Sequence, residues 1–241
     1  ISQIISDVVN DPIEFIASGP TAPDSTTYED AKKILQEHNL WNNIPKSIKE
    51  TINKGIKGEI AETPKPGDKV FQKVKNIIVA NNTMACRAAY KKAKELGYKP
   101  MIYSTTLTGE ARETGKLLVE QAKNTAKPNS VLIAGGETTV TLKGKGKGGR
   151  NQEMVLSTVD LIADTPFVFS SFATDGIDGN SDAAGAIADG FTKKCADAKG
   201  LSTNKYLSNN DSYHFFKTLD DLLFTGLTGT NVMDIQILVH L

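Results

Sequence analysis

The stretch from Ser130 to Glu153 constrains this chain more than any other: S-V-L-I-A-G-G-E-T-T-V-T-L-K-G-K-G-K-G-G-R-N-Q-E. Val131-Leu132-Ile133-Ala134 is an apolar run with the length and branching of a buried strand. It stops at Gly135-Gly136, where the backbone is released from the usual φ restriction. After Glu137-Thr138-Thr139-Val140 comes a loop in which Gly and Lys alternate, ending at Gly148-Gly149-Arg150. Asn151-Gln152-Glu153 then opens a helical apolar pattern, Met154, Val155, Val159, Leu161 and Ile162. A strand, a basic glycine loop and a helix N-terminus in succession suit an anion: amides are unpaired there, the dipole is favourable, and glycine lets the backbone approach. The same loop also reads as a flexible solvated linker. Its place between a strand and a helix, and its Arg-Asn-Gln-Glu ending, favour a phosphate or carboxylate site.

Neither common phosphate motif fits. Gly144, Gly146 and Gly149 match G-x-G-x-x-G, but Asp164, at the right distance for the ribose acid, falls between a helix and the next strand. A Walker A loop needs Lys-Ser/Thr where Arg150-Asn151 stands.

Composition narrows the function classes. With 28 basic and 28 acidic residues among 241, the chain has no charge excess for coating nucleic acid. No apolar run reaches the roughly 20 residues a membrane span needs. Cys86 and Cys195 are far apart, and His38, His214 and His240 are scattered, so neither a disulfide framework nor a zinc site is expected. No signal peptide is visible. Ile1 lies inside what reads as a strand, so further sequence upstream is expected.

Taken in order, Ile1–Val9 reads as a strand with Asp7 at its carboxyl end, where open α/β sheets bind ligands. Asn10-Asp11-Pro12 equally makes a turn. Ala17-Ser18-Gly19-Pro20-Thr21 is a small polar loop, and Thr26-Thr27 caps a helix from Tyr28 to His38. A second helix spans Pro45–Lys54. Strand-helix units follow: strand Asn76–Ala80, helix Met84–Leu96 capped by Asn81-Asn82-Thr83 and ended by Gly97, strand Met101–Ser104, helix Glu110–Ala126, the strand at Val131 with its helix at Gln152, and strand Phe167–Phe172. This alternation predicts a largely parallel sheet with helices on both faces. The break Lys127-Pro128-Asn129 predicts two α/β domains, 1–127 and 128–241.

Past Phe172 comes Ala173-Thr174-Asp175-Gly176-Ile177-Asp178-Gly179-Asn180-Ser181-Asp182. These aspartates could hold Mg²⁺ or orient a substrate hydroxyl, though the spacing is not that of an EF-hand. The alternative is an Asp-Gly turn with Asp182 capping the next helix. The tail holds Asn210-Asp211-Ser212, a glycine-threonine turn from Thr225 to Asn231, and a strand Ile235–Val239. That turn is either another anion contact or a plain hairpin.

Several segments together resemble the MOFRL-type glycerate kinases: Ser6-Asp7-Val8-Val9, Ala17-Ser18-Gly19-Pro20-Thr21, Glu62-Thr63-Pro64-Lys65 and Gly135-Gly136-Glu137-Thr138-Thr139. Gly144 to Glu153, Thr174-Asp175-Gly176-x-Asp178-Gly179, Asn210-Asp211-Ser212 and Thr228-Gly229-Thr230-Asn231-Val232 belong to the same pattern. Ala173 departs from it, since the family commonly has Gly before Thr-Asp-Gly. The resemblance runs the length of the chain but over only part of the family's usual length. It implies an additional amino-terminal stretch whose lysine helps bind phosphoryl groups.

The resemblance implies a Rossmann-like three-layer α/β/α domain with a smaller MOFRL-type domain, and ATP-dependent phosphorylation of D-glycerate in the cleft between them, usually at the 2-hydroxyl. Arg150 is then the leading candidate for gripping a carboxylate or phosphoryl group, because its planar fork binds either bidentately. Asp7 and Asp175 are candidates for orienting the hydroxyl or Mg²⁺, with Asp178 as a further ligand. Ser18, Gly19, Thr21, Gly135, Gly136, Glu137, Thr138, Gly148, Gly149, Asn151, Gln152 and Asn231 are the expected substrate and phosphate contacts. A cytoplasmic protein, with a mitochondrial one not excluded, is expected, and a homo-oligomer is compatible with the sequence. Two alternatives stay open: an NAD(P)H-dependent hydroxypyruvate reductase, and a nucleotide-binding fragment without turnover.

Overall fold

The computed structural model describes residues 1–241, which form two compact units. The first comprises Ile1–Ile4 and Pro12–Ile77, the second Ile5–Asp11 and Ile78–Leu241. The boundary falls inside β1 (Ser2–Ile5) and β2 (Asn76–Ala80), two strands that pair with each other. The break at Lys127 therefore lies within the second unit, because the elements before it share a core with those after it.

In the first unit, α1 (Tyr28–Glu37) and α2 (Lys46–Ile56) pack together. Thr27 and Asp30 form a capping box: Asp30 N donates to Thr27 Oγ1 at 3.2 Å and Thr27 N donates to Asp30 Oδ2 at 2.9 Å.

The second unit is built on a six-stranded sheet of β3 (Lys99–Leu107), β4 (Ser130–Gly136), β8 (Asp234–His240), β5 (Phe167–Ala173), β6 (Gly185–Asp189) and β7 (Leu222–Leu223), in that spatial order. Only β3 and β4 pair in parallel. The largely parallel sheet expected from strand-helix alternation is thus corrected to a mixed one. The crossovers do deliver β4 and β5 pointing the same way, but β8 returns from the carboxyl terminus and inserts antiparallel to both. A short connection then folds β6 back against β5. The resulting class is mixed α/β.

Helix α3 (Asn82–Glu95) covers one face of β3 and β4, packing Cys86 and Ala93 against Val131, Ile133 and Ile235. Its N-cap is Asn81, whose Oδ1 accepts from Met84 N at 2.9 Å. On the opposite face, α4 (Ala111–Thr125) and α5 (Arg150–Leu156) bury Leu118, Val119, Met154 and Val155 against Leu132, Ala134, Phe169 and Leu238. β4 feeds both cores because its side chains alternate between the faces. Short helices α6 (Val159–Ile162), α7 (Thr192–Ala198), α8 (Thr203–Ser208) and α9 (Ser212–Leu219) complete the unit. Asp182 precedes a strand, β6, and so does not cap the helix expected after it.

Asp221, just before β7, makes the sheet's far edge pH-sensitive. Burial, then the charges of Asp189 and Asp220, push its carboxyl from 3.8 up to about 6. The folded chain therefore holds this proton more tightly than the unfolded chain, and stability falls as pH rises from about 4 to about 6. Asp221→Asn should raise stability at pH 7 by about 1 kcal/mol, after allowance for solvent screening of a partly exposed group, and flatten that window. Denaturant melts across this range check it, and an undiminished slope would contradict the assignment.

Candidate functional site

β8 lies between β4 and β5 with Asp234 opposite both Gly136 and Ala173. The carboxyl ends of two codirectional strands thus flank the first residue of the strand between them. Asp234 is fully buried and accepts two bonds from Arg150, from Nε at 2.6 Å and Nη2 at 3.0 Å. Arg150 Nη1 lies 2.9 Å from Glu137 Oε1, at the end of β4. Two of the five guanidinium N–H groups therefore donate to Asp234, while Nη1 forms an ion pair with Glu137.

The electrostatics follow from this arrangement. Burial works to lower the Arg150 pKa, but the bond to Asp234 and the charges of Asp234 and Glu137 outweigh it, so the arginine stays charged. Burial raises Asp234 against the pull of Arg150. Burial also raises Glu137; Arg150 opposes the shift, while Asp234, Asp7 and Asp175 reinforce it. One arginine thus sits among four acids of the same unit.

The expected anion site at the N-terminus of α5 is already filled. Asp178, 1% exposed, accepts from Asn151 N at 3.0 Å with Oδ1 and from Gln152 N at 2.9 Å with Oδ2. Asn151 Nδ2 adds a third bond at 3.2 Å. The dipole and free amides read from sequence are real, but the chain's own carboxylate satisfies them. Burial outweighs these bonds and pushes Asp178 up to about 6. Gln152 Nε2 donates to Ser181 Oγ at 2.7 Å, so Asn151 and Gln152 both face inward.

The glycines are likewise accounted for by packing. A Cβ on Gly149 would collide with the Asp178 carboxylate, and one on Gly135 with the Asn82 amide. Asn82 needs that space, because its Nδ2 donates to the carbonyls of Val232 and Asp234, both at 2.9 Å. Gly136 and Gly148 abut Leu107 and Ser212 in the same way.

The Asp175–Asp182 run does not converge on a metal. Asp175 Oδ1 accepts from Ile177 N at 3.0 Å, Asp178 caps α5, and Asp182 pairs with Lys147 at 3.3 Å. No group of three or more His, Cys, Asp or Glu side chains is arranged to hold a metal ion by itself. Asn231 Oδ1 turns back to Met233 N at 2.9 Å, and Asn231 itself is exposed.

A cleft of about 740 Å³ opens beside Arg150, lined by Glu137, Thr138, Leu142, Lys145, Gly149 and Asn180 among others. Thr138 also lines it, 4% exposed, with its hydroxyl buried and without a hydrogen-bond partner. A cleft of this size can take a polar ligand as large as a nucleotide. Ser18, Gly19 and Thr21 belong to the other unit. There Ala17, Ser18 and Gly19 are all left-handed, with φ of 49°, 62° and 56°, and Ser18 and Gly19 line a separate cleft of about 540 Å³. Thr21 is tied to Asn76, its Oγ1 donating to Oδ1 at 2.7 Å.

Asp234 was not singled out from sequence. It is simply the residue before an apolar strand, and its partner is 84 positions away.

Comparison with known proteins decides the family. A model of the MOFRL family matches residues 130–234, and a domain family of unknown function, DUF4147, matches residues 1–53. The glycerate 2-kinase of Pyrococcus horikoshii is 45% identical over 246 residues, covering 99% of this chain and 55% of that protein. The glycerate kinase of Macaca fascicularis is 32% identical, covering 99% of this chain and 71% of that protein. This chain belongs to the MOFRL-type glycerate kinase family. The solved glycerate kinase of Thermotoga maritima superposes with a TM-score of 0.85 at 39% identity, over 99% of this chain and 56% of that one. The chain therefore spans about half the length of the Pyrococcus and Thermotoga family members. The MOFRL match begins at β4 and takes in Arg150, Asp178 and Asp234.

Proposed function

We propose that the protein carrying this chain transfers a phosphoryl group from ATP to D-glycerate, at the 2-hydroxyl. The observation that carries this reading is the 45% identity, along 99% of the chain, to a protein named glycerate 2-kinase. ATP, when bound, supplies the transferable phosphoryl group; the acceptor oxygen forms the new O–P bond, ADP leaves and the hydroxyl proton goes to a base. In this reading the N–H groups of Arg150 not donated to Asp234 meet a carboxylate or phosphoryl oxygen, in an orientation Asp234 has already fixed. Glu137, half-buried and raised by burial, suits the proton acceptor. Asp7 and Asp175 orient the hydroxyl. Thr138 lines the cleft that the ligand would enter.

The relatives quoted above carry kinase names, and nothing in the site favours the reductase alternative. Two assays on the full-length protein separate the readings. Glycerate-dependent release of ADP is expected, with no oxidation of NADH or NADPH on adding hydroxypyruvate. Hydroxypyruvate-dependent oxidation without ADP release would overturn the proposal.

A further inference from the structure

The glycine-lysine loop is held from behind by three consecutive side chains. Asn210 Oδ1 accepts from Lys143 N at 2.7 Å and Gly144 N at 2.9 Å. Asn209 accepts from Lys145 N with Oδ1 at 3.2 Å and from Gly146 N with its carbonyl at 2.9 Å. Asp211 Oδ1 accepts from Lys147 N at 2.9 Å and is itself met by His214 Nδ1 at 2.6 Å. Five successive amides of the loop are thus committed to one tripeptide, so they cannot wrap a phosphate as a P-loop does.

The tripeptide is anchored in turn. Asn210 is 6% exposed, and its Nδ2 donates to Glu153 Oε2 at 2.9 Å. The other oxygen of Glu153 accepts from Arg112 Nε at 3.0 Å and Nη2 at 2.6 Å. This explains why Gly and Lys alternate: a Cβ at Gly144 would run into the Asn209 backbone, and one at Gly146 into Asp211. The glycines are thus where the loop backbone meets the clamp. Lys147 is tied to Asp182 at 3.3 Å and lies 3.9 Å over the Tyr213 ring, whereas Lys145 lines the cleft beside Arg150.

We propose that Asn209, Asn210 and Asp211 are positioning residues that fix this loop as a rigid wall, presenting Lys145 to an anionic group of the bound ligand. This deepens the kinase reading and rests on it. The anion is either the phosphoryl chain of the nucleotide or the carboxylate of glycerate, and the experiment distinguishes them.

Asn209→Ala removes the acceptor for Lys145 N from an exposed side chain, while Asn209→Asp keeps an oxygen there. Losing one such bond should speed amide hydrogen exchange at residues 143–147 and raise one KM roughly fivefold, with kcat within about twofold. Asn209→Asp should restore both. Lys145→Ala should raise the same KM without altering loop exchange. A rise in the KM for ATP assigns the phosphoryl chain, and a rise in the KM for glycerate assigns the carboxylate. Unchanged exchange in Asn209→Ala, or neither KM moving in Lys145→Ala, would overturn the proposal. If the unmodified protein turns over no glycerate, the kinase reading fails. Calorimetric binding of inorganic pyrophosphate and of glycerate, unmodified protein against Lys145→Ala, then decides the role of Lys145 by itself.

Discussion

Asp234→Ala is expected to lower stability by about 3 kcal/mol, because it leaves the Arg150 guanidinium without the carboxylate that both its Nε and Nη2 address. The lower end of the usual range for a broken buried pair applies, since the Arg150 side chain is 30% exposed and water can reach part of it. Asp234→Asn should fall between the two, keeping the shape and one acceptor while losing the charge. For a chain of this size the alanine change corresponds to a fall in Tm of roughly 6–12 °C. A melting curve within about a degree of the parent would mean that the pair adds nothing, and would remove Asp234 as the anchor of the site.

Arg150→Lys should have the largest effect on turnover while costing less stability than Asp234→Ala, because a positive charge is retained. An ammonium is a point donor. It cannot address both oxygens of Asp234, pair with Glu137 and still present N–H groups of fixed geometry to a ligand. If those groups meet charge that develops during transfer, kcat/KM should fall by about two orders of magnitude or more, on the order of 3 kcal/mol. Glu137→Gln is the companion variant. It releases one side of the fork, leaves Asp234 in place and removes the proposed proton acceptor, so kcat should fall more than the affinity for substrate. Turnover in Arg150→Lys within about threefold of the parent would make Arg150 a structural residue only.

Much of the local architecture was legible because its causes are local. Asn81 caps α3 as its side chain and position require, and Thr27 does the same for α1. The strand-helix units also gave the right direction for β4 and β5. What could not be read was the antiparallel insertion of β8 between them, since that pairing joins residues about 60–110 positions apart and leaves no periodic trace in either.

Of the candidate site residues, Arg150 and Glu137 do come together and Thr138 lines the same cleft, but Asp234, which orients the arginine, was not singled out. The Gly-Lys alternation correctly announced a close backbone approach, yet the approaching group is the chain's own Asn209–Asp211. A ligand and an internal side chain make the same demand on a glycine, so composition alone cannot distinguish them. The Asp175–Asp182 run was ambiguous for a related reason: turns, helix caps and metal loops all draw on Asp and Gly.

The most direct test of the account is phosphorus NMR of ATP and D-glycerate incubated with the full-length protein. The account predicts one new phosphomonoester, coupled to the proton on the glycerate carbon that bears the 2-hydroxyl, growing in step with ADP. Consumption of ATP without that resonance, or no consumption in a protein that binds both ligands, would contradict it.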